Sequence, residues 1–211
     1  MTAFTRRVRR RWPVPAAGVL GMVLLATGCF APPSADSAET ETTMATPSEK
    51  LSPEEFAAVQ GQLEELFPSL EDTAADSVEL SLRSLRESSC FGPEVKDRQT
   101  QTSWLGILRG IPADDAAANA AIDALSLQLQ SDDWTLVEEY RTPEVEIGQV
   151  RLVYLEQDQV NLRLIHEHGY PDKVEVLAST GCYDHPKDHR MQRSRMDPEY
   201  GTSSQEYPDG A

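Results

Sequence analysis

Apolar residues along the chain follow two different spacings, and the change from one to the other divides the fold into parts. Phe56, Val59, Leu63, Leu66 and Phe67 recur every three or four residues, the stripe of an amphipathic helix. Ser52-Pro53-Glu54-Glu55 opens it with an N-cap, a first-turn proline and two acids at the positive end of the helix dipole. Pro68 is expected to interrupt it. Val78, Leu80, Leu82 and Leu85 form a second set, read as helix, although Val78-Glu79-Leu80-Ser81-Leu82 also alternates. After the Phe91-Gly92-Pro93 break, residues 101–108 read as a strand led by Trp104. Pro112-Ala113-Asp114-Asp115 then opens a helix over 116–130, with Ala118, Ile122, Leu125 and Leu129 on one face.

Residues 134–140, 148–155, 160–166 and 173–179 are short runs rich in Val, Leu, Ile and Tyr, separated by turn residues. In the central pair Arg151, Val153 and Leu155 alternate with Val150, Leu152 and Tyr154, and Val160, Leu162 and Leu164 with Asn161, Arg163 and Ile165. The expected fold class is α+β, with helices packed on one face of an antiparallel meander sheet of four to five strands. Trp104 and Trp134 are expected in its core. The domain spans 51–183; beyond Tyr183 apolar residues thin out, and 184–211 reads as a disordered polar tail.

The N-terminus has a different pattern. Arg6, Arg7, Arg9, Arg10 and Arg11 precede an apolar run over 14–25, which ends in Leu24-Leu25-Ala26-Thr27-Gly28-Cys29. That run is too short to span a bilayer, which takes about 20 apolar residues. It resembles the signal and lipobox of bacterial lipoproteins, with Ala26 where that pattern usually has leucine. The resemblance implies a signal peptide over 1–28, cleavage before a diacylglyceryl-modified Cys29, and a protein lipid-anchored on the extracytoplasmic face of the cell membrane. Thr5-Arg6-Arg7 also resembles a twin-arginine signal, so the export route stays open. Residues 29–50, rich in Ala, Pro, Ser and Thr, then form a tether.

Nineteen Lys and Arg stand against thirty-five Asp and Glu, for a net charge of −16. Losing residues 1–28 removes five bases and no acid, which brings it to −21. Such a surface repels nucleic acid and anionic headgroups, so no nucleic-acid partner is expected and membrane attachment rests on the lipid. With Cys29 lipidated in an oxidising compartment, Cys90 and Cys182 are expected to form a disulfide.

Candidate chemistry is sparse. His166-Glu167-His168 would point two imidazoles to one side of a strand, and Asp184-His185 with Asp188-His189 repeat at a spacing of four, which Pro186 keeps from being helical. His166, His168, His185 and His189 are thus the candidate metal ligands, but a turn beside the first pair and a solvated tail around the second favour structural roles, and no metal or cofactor is assigned. There is no Gly-x-Ser-x-Gly and no phosphate-binding glycine loop, so no catalytic residue is assigned and the chain is not read as an enzyme.

In layout, with a lipidated cysteine, tether, helix, first cysteine, Trp-led strand and a sheet ending in Thr180-Gly181-Cys182-Tyr183, residues 51–183 resemble the small LppA-like envelope lipoproteins of actinobacteria. That resemblance carries no activity. The expected role is a non-catalytic binding module for another envelope protein or wall component. The alternatives are a carrier of an apolar ligand between helices and sheet, and weak metal capture by the His and acid clusters.

Overall fold

The computed structural model describes residues 52–142 and 146–210; the expected signal peptide, Cys29 and the expected tether lie outside them. Ser52 caps α1 (Pro53–Ala74) as expected. Its Oγ accepts from the Glu55 N–H at 3.2 Å, and the Glu55 carboxylate accepts from the Ser52 N–H at 2.7 Å. The helix does not stop at Pro68. A mid-helix proline costs about 3 kcal/mol, but Leu63, Phe67, Leu70 and Ala74 carry the buried stripe past it, and side chains such as Phe67 and Leu70 contribute roughly 1.5–3 kcal/mol each when buried.

The second apolar set is not a helix. Ser81–Ser89 forms strand β1, paired with β2 (Gln101–Gly110) from Ser81↔Arg109 to Ser89↔Thr102. Serines at 81, 84, 88 and 89 compete with a helical backbone for hydrogen bonds, and the free edge of β2 offers a ladder instead. Asp114 caps α2 (Asp115–Ser131), accepting from the Ala117 N–H at 2.8 Å. Then follow β3 (Thr135–Arg141), β4 (Gly148–Gln157), β5 (Val160–His168), β6 (Lys173–Thr180) and β7 (Tyr183–Asp184).

All pairings are antiparallel. The order is β1-β2-β6-β5-β4-β3, with β7 also on β2, so the sheet has seven strands where four to five were expected. The two additional ones are β1, read as helix, and β7, which straddles the expected domain end at Tyr183. The sheet is not a simple meander, because β3 to β6 follow one another but α2 carries the chain from β2 to β3 at the far edge. Both helices pack on one face, where Trp104, Leu108, Val153, Leu155, Leu162, Leu164, Val176 and Ala178 meet Leu63, Phe67, Ile122 and Leu125. Trp104 and Trp134 are core residues. Gly106 lies directly under the Phe67 ring, where a Cβ would collide with Phe67 Cζ. The Cys90–Cys182 disulfide is present and joins the chain just beyond β1 to the chain just beyond β6, past the β2 strand between them. No described helix is long and apolar enough to cross a membrane.

The domain continues past Tyr183. Residues 184–210 pack against the outer edge of β1 and are not a solvated tail. The Glu87 N–H donates to Gln192 O at 2.9 Å, the Ser194 N–H to Leu85 O at 2.9 Å and the Leu85 N–H to Asp197 Oδ2 at 2.8 Å. Arg193, 5% exposed, donates to Glu199 O at 2.8 Å and stacks 4.3 Å over the ring of Tyr207, which is itself buried. Composition hid this segment because polar bonds, more than apolar burial, hold it.

Candidate metal centre

His166 and His168 end β5. The two-residue period of a strand turns both toward the helices, with ring centroids 5.0 Å apart and planes at 72°. Asp115, the first residue of α2, comes down over them, and its Oδ1 lies 3.7 Å from both His166 Nε2 and His168 Nδ1. Asp172, in the turn before β6, has Oδ2 3.2 Å from His168 Nδ1, while its Oδ1 accepts from the Gly169 N–H at 2.9 Å. One donor atom from each of these four residues lies within 4.8 Å of the other three. A cavity of about 200 Å³ opens beside them, lined also by Asn119, Arg141, Thr142 and Arg151.

His166 is 1% exposed, and neither ring nitrogen has a hydrogen-bond partner among the described residues. Leaving a buried polar group unpaired costs about 1–3 kcal/mol. Burial first, and then the neighbouring His168, push its pKa below the ordinary imidazole value, so the ring is neutral at neutral pH and keeps a free lone pair. The Gly169 N–H, followed by His168, holds the Asp172 carboxyl below its usual range, so it is ionised. These are the protonation states a metal ligand needs.

Two imidazole nitrogens and two carboxylate oxygens suit zinc and its neighbours in the first transition row, not calcium or magnesium, which prefer oxygen donors alone. Four bonds of 2.0–2.2 Å in a tetrahedron put donors about 3.4 Å apart, so the cluster would close by roughly an ångström. The side chain of Asp115, 64% exposed, is free to supply that movement. One feature departs from the usual pattern. A ligating histidine normally also bonds through its other nitrogen, and His166 does not.

The second histidine pair is built differently. His185 and His189 stack at 3.7 Å with planes 7° apart. Thr102 Oγ1 donates to Glu87 Oε2 at 2.9 Å and lies 2.9 Å from His185 Nε2, while His189 Nε2 lies 2.7 Å from Glu87 Oε2. One proton arrangement satisfies the whole set, with His185 donating to Thr102 and both Thr102 and His189 donating to the buried Glu87 carboxylate. The donor atoms of Glu87, His185 and His189 fall within metal-binding reach, but the hydrogen bonds are already made, so this cluster ties residues 184–210 to β1 and β2. Asp184, which spacing alone groups with it, instead accepts from Gln101 Nε2 at 3.0 Å.

The sequence pattern located both histidine pairs but not their carboxylates. Asp115 reads there as a helix start, Asp172 as a turn residue, and Glu87 fell in the segment misread as helix. No family model, curated protein or solved structure matches the chain.

Proposed function

We propose that the protein is a lipid-anchored cell-envelope lipoprotein whose folded domain binds a divalent transition metal ion, zinc foremost, through His166, His168, Asp115 and Asp172. The observation that carries this reading is His166, a neutral, fully buried imidazole whose two nitrogens have no hydrogen-bond partner among the described residues and which faces the carboxyl groups of Asp115 and Asp172. A bound cation would convert that unsatisfied group into a ligand. The acidic balance of the chain adds a field that concentrates cations. The anchor at Cys29 follows from the lipobox resemblance. An apolar carrier is the less favoured reading, because charged and polar side chains dominate the lining of the cavity beside the histidines.

The test is calorimetric titration of zinc into chelator-treated protein, with thermal melting alongside. One-to-one binding is expected, with stabilisation of about 2.7 kcal/mol when free zinc reaches a hundred times Kd. His168→Ala and Asp115→Asn should abolish both signals. Zinc that leaves the melting temperature unchanged, or that binds these variants equally well, would refute the proposal.

A further inference from the structure

The larger cavity, of about 840 Å³, lies between the 93–99 loop and the C-terminal segment and is lined by Lys96, Arg98, Lys187 and Arg190, with Asp188 and Glu206 as the acids of its described lining and Asp209 beside Arg190. We infer that this cleft binds a phosphate-bearing ligand.

The charge distribution supports this. In a chain with thirty-five acids to nineteen bases, of which five lie within residues 6–11, a lysine has carboxylates available almost everywhere. Arg98 pairs with Glu206 at 2.6 Å, and Arg190 with Asp209 at 3.3 Å. Lys96 and Lys187 make no ion pair or hydrogen bond among the described residues, and both face this cleft. Arg98 adds a second observation, because its Nε is shielded from solvent and has no hydrogen-bond partner among the described residues.

The frame is fixed. Ser89 Oγ donates to Arg98 O at 2.7 Å, and the Cys90–Cys182 bridge anchors the chain just ahead of the loop. A tetrahedral phosphate matches these donors: the lysines supply point charges, and the guanidinium supplies a planar fork once Glu206 yields it. The surrounding acidic surface repels anions elsewhere, so any phosphate that binds must be held by local contacts.

Two soluble probes separate the possible sources. Inorganic pyrophosphate represents a free phosphate compound, and glycerophosphoglycerol a phosphodiester lipid headgroup. Each is titrated into the full-length protein in chelator and followed by calorimetry. At least one is expected to bind saturably, and Lys96→Glu with Lys187→Glu should weaken it by on the order of tenfold or more while leaving the melting temperature of the protein alone. Whichever probe responds identifies the source. No binding by either probe, or equal binding by the charge-reversed protein, overturns the inference. Loss of binding in His168→Ala also overturns it, since the anion would then be held at the metal cluster.

Discussion

Arg151 on β4 and His166 on β5 are register partners at one end of the sheet, 3% and 1% exposed, and hydrogen bonds compensate the burial of the first but not of the second. The Arg151 guanidinium donates to Asp123 at 2.6 Å, Glu139 at 3.0 Å and Asn119 O at 3.2 Å. His166 bonds to nothing described, and the nearby Arg151 charge further disfavours its protonation. A sheet stabilised only by its core would hold valine at both positions. The inner face is instead polar over its last residues, under the start of α2.

The cost of His166 is measurable. His166→Leu keeps the approximate volume, removes two unpartnered nitrogens and should stabilise the metal-free protein by about 1 kcal/mol in urea unfolding. The same substitution should abolish zinc stabilisation. A less stable metal-free variant would mean that the ring has a stabilising partner.

Acid should weaken the metal-free fold in a defined window. His166 and His185 both have pKa values below 6.5, in each case chiefly through burial. Above 6.5 both folded and unfolded chains hold them neutral, and they contribute no pH dependence. As pH falls below 6.5 the unfolded chain takes up protons first, so stability drops until the lower folded values are passed. The lowered Asp172 acts in a separate, more acidic window, where stability present above 3.8 is lost as the carboxylate protonates. Urea midpoints at pH 7.5 and 5 should differ, and His166→Leu should shrink the difference. An unchanged difference would remove His166 from the linkage.

Gly106→Ala should cost about 1–3 kcal/mol, because the new methyl meets the Phe67 ring and Phe67 is fully buried. Combining it with Phe67→Leu should recover part of the loss, since the smaller side chain makes room. Strictly additive losses in the double variant would show that the two positions do not meet.

These residues also show how far sequence alone carries. The two-residue period placed His166 and His168 on one side of a strand, and cysteine usage paired Cys90 with Cys182, because both depend on local pattern or simple elimination. Asp115 reaches the histidines only because α2 crosses back over β5, a long-range placement without a local signal. Pro68 misled because burial on both sides outweighs its local penalty. Ser81–Ser89 misled because helical and alternating spacings coincide over a few residues, and the edge of β2 decided between them.

The C-terminal segment yields the sharpest structural test. It covers an edge strand, and an uncovered edge recruits other chains. Its anchor is Tyr207, which is buried, donates its hydroxyl proton to the Glu87 carbonyl oxygen and stacks under Arg193. Burial pushes the Tyr207 pKa up to about 12. The stability it contributes is therefore complete below the ordinary tyrosine value of 10.0 and is lost as pH rises through about 12. Tyr207→Phe should remove roughly 1 kcal/mol at neutral pH and flatten that alkaline limb, while leaving the Arg193 stacking in place. Truncation after Tyr183 removes the whole cover, including the bonds to Leu85 and Glu87, and should both lower the melting temperature and produce oligomers on size-exclusion chromatography. A truncated chain that stays monomeric and melts unchanged would show that residues 184–210 are not part of the folded unit.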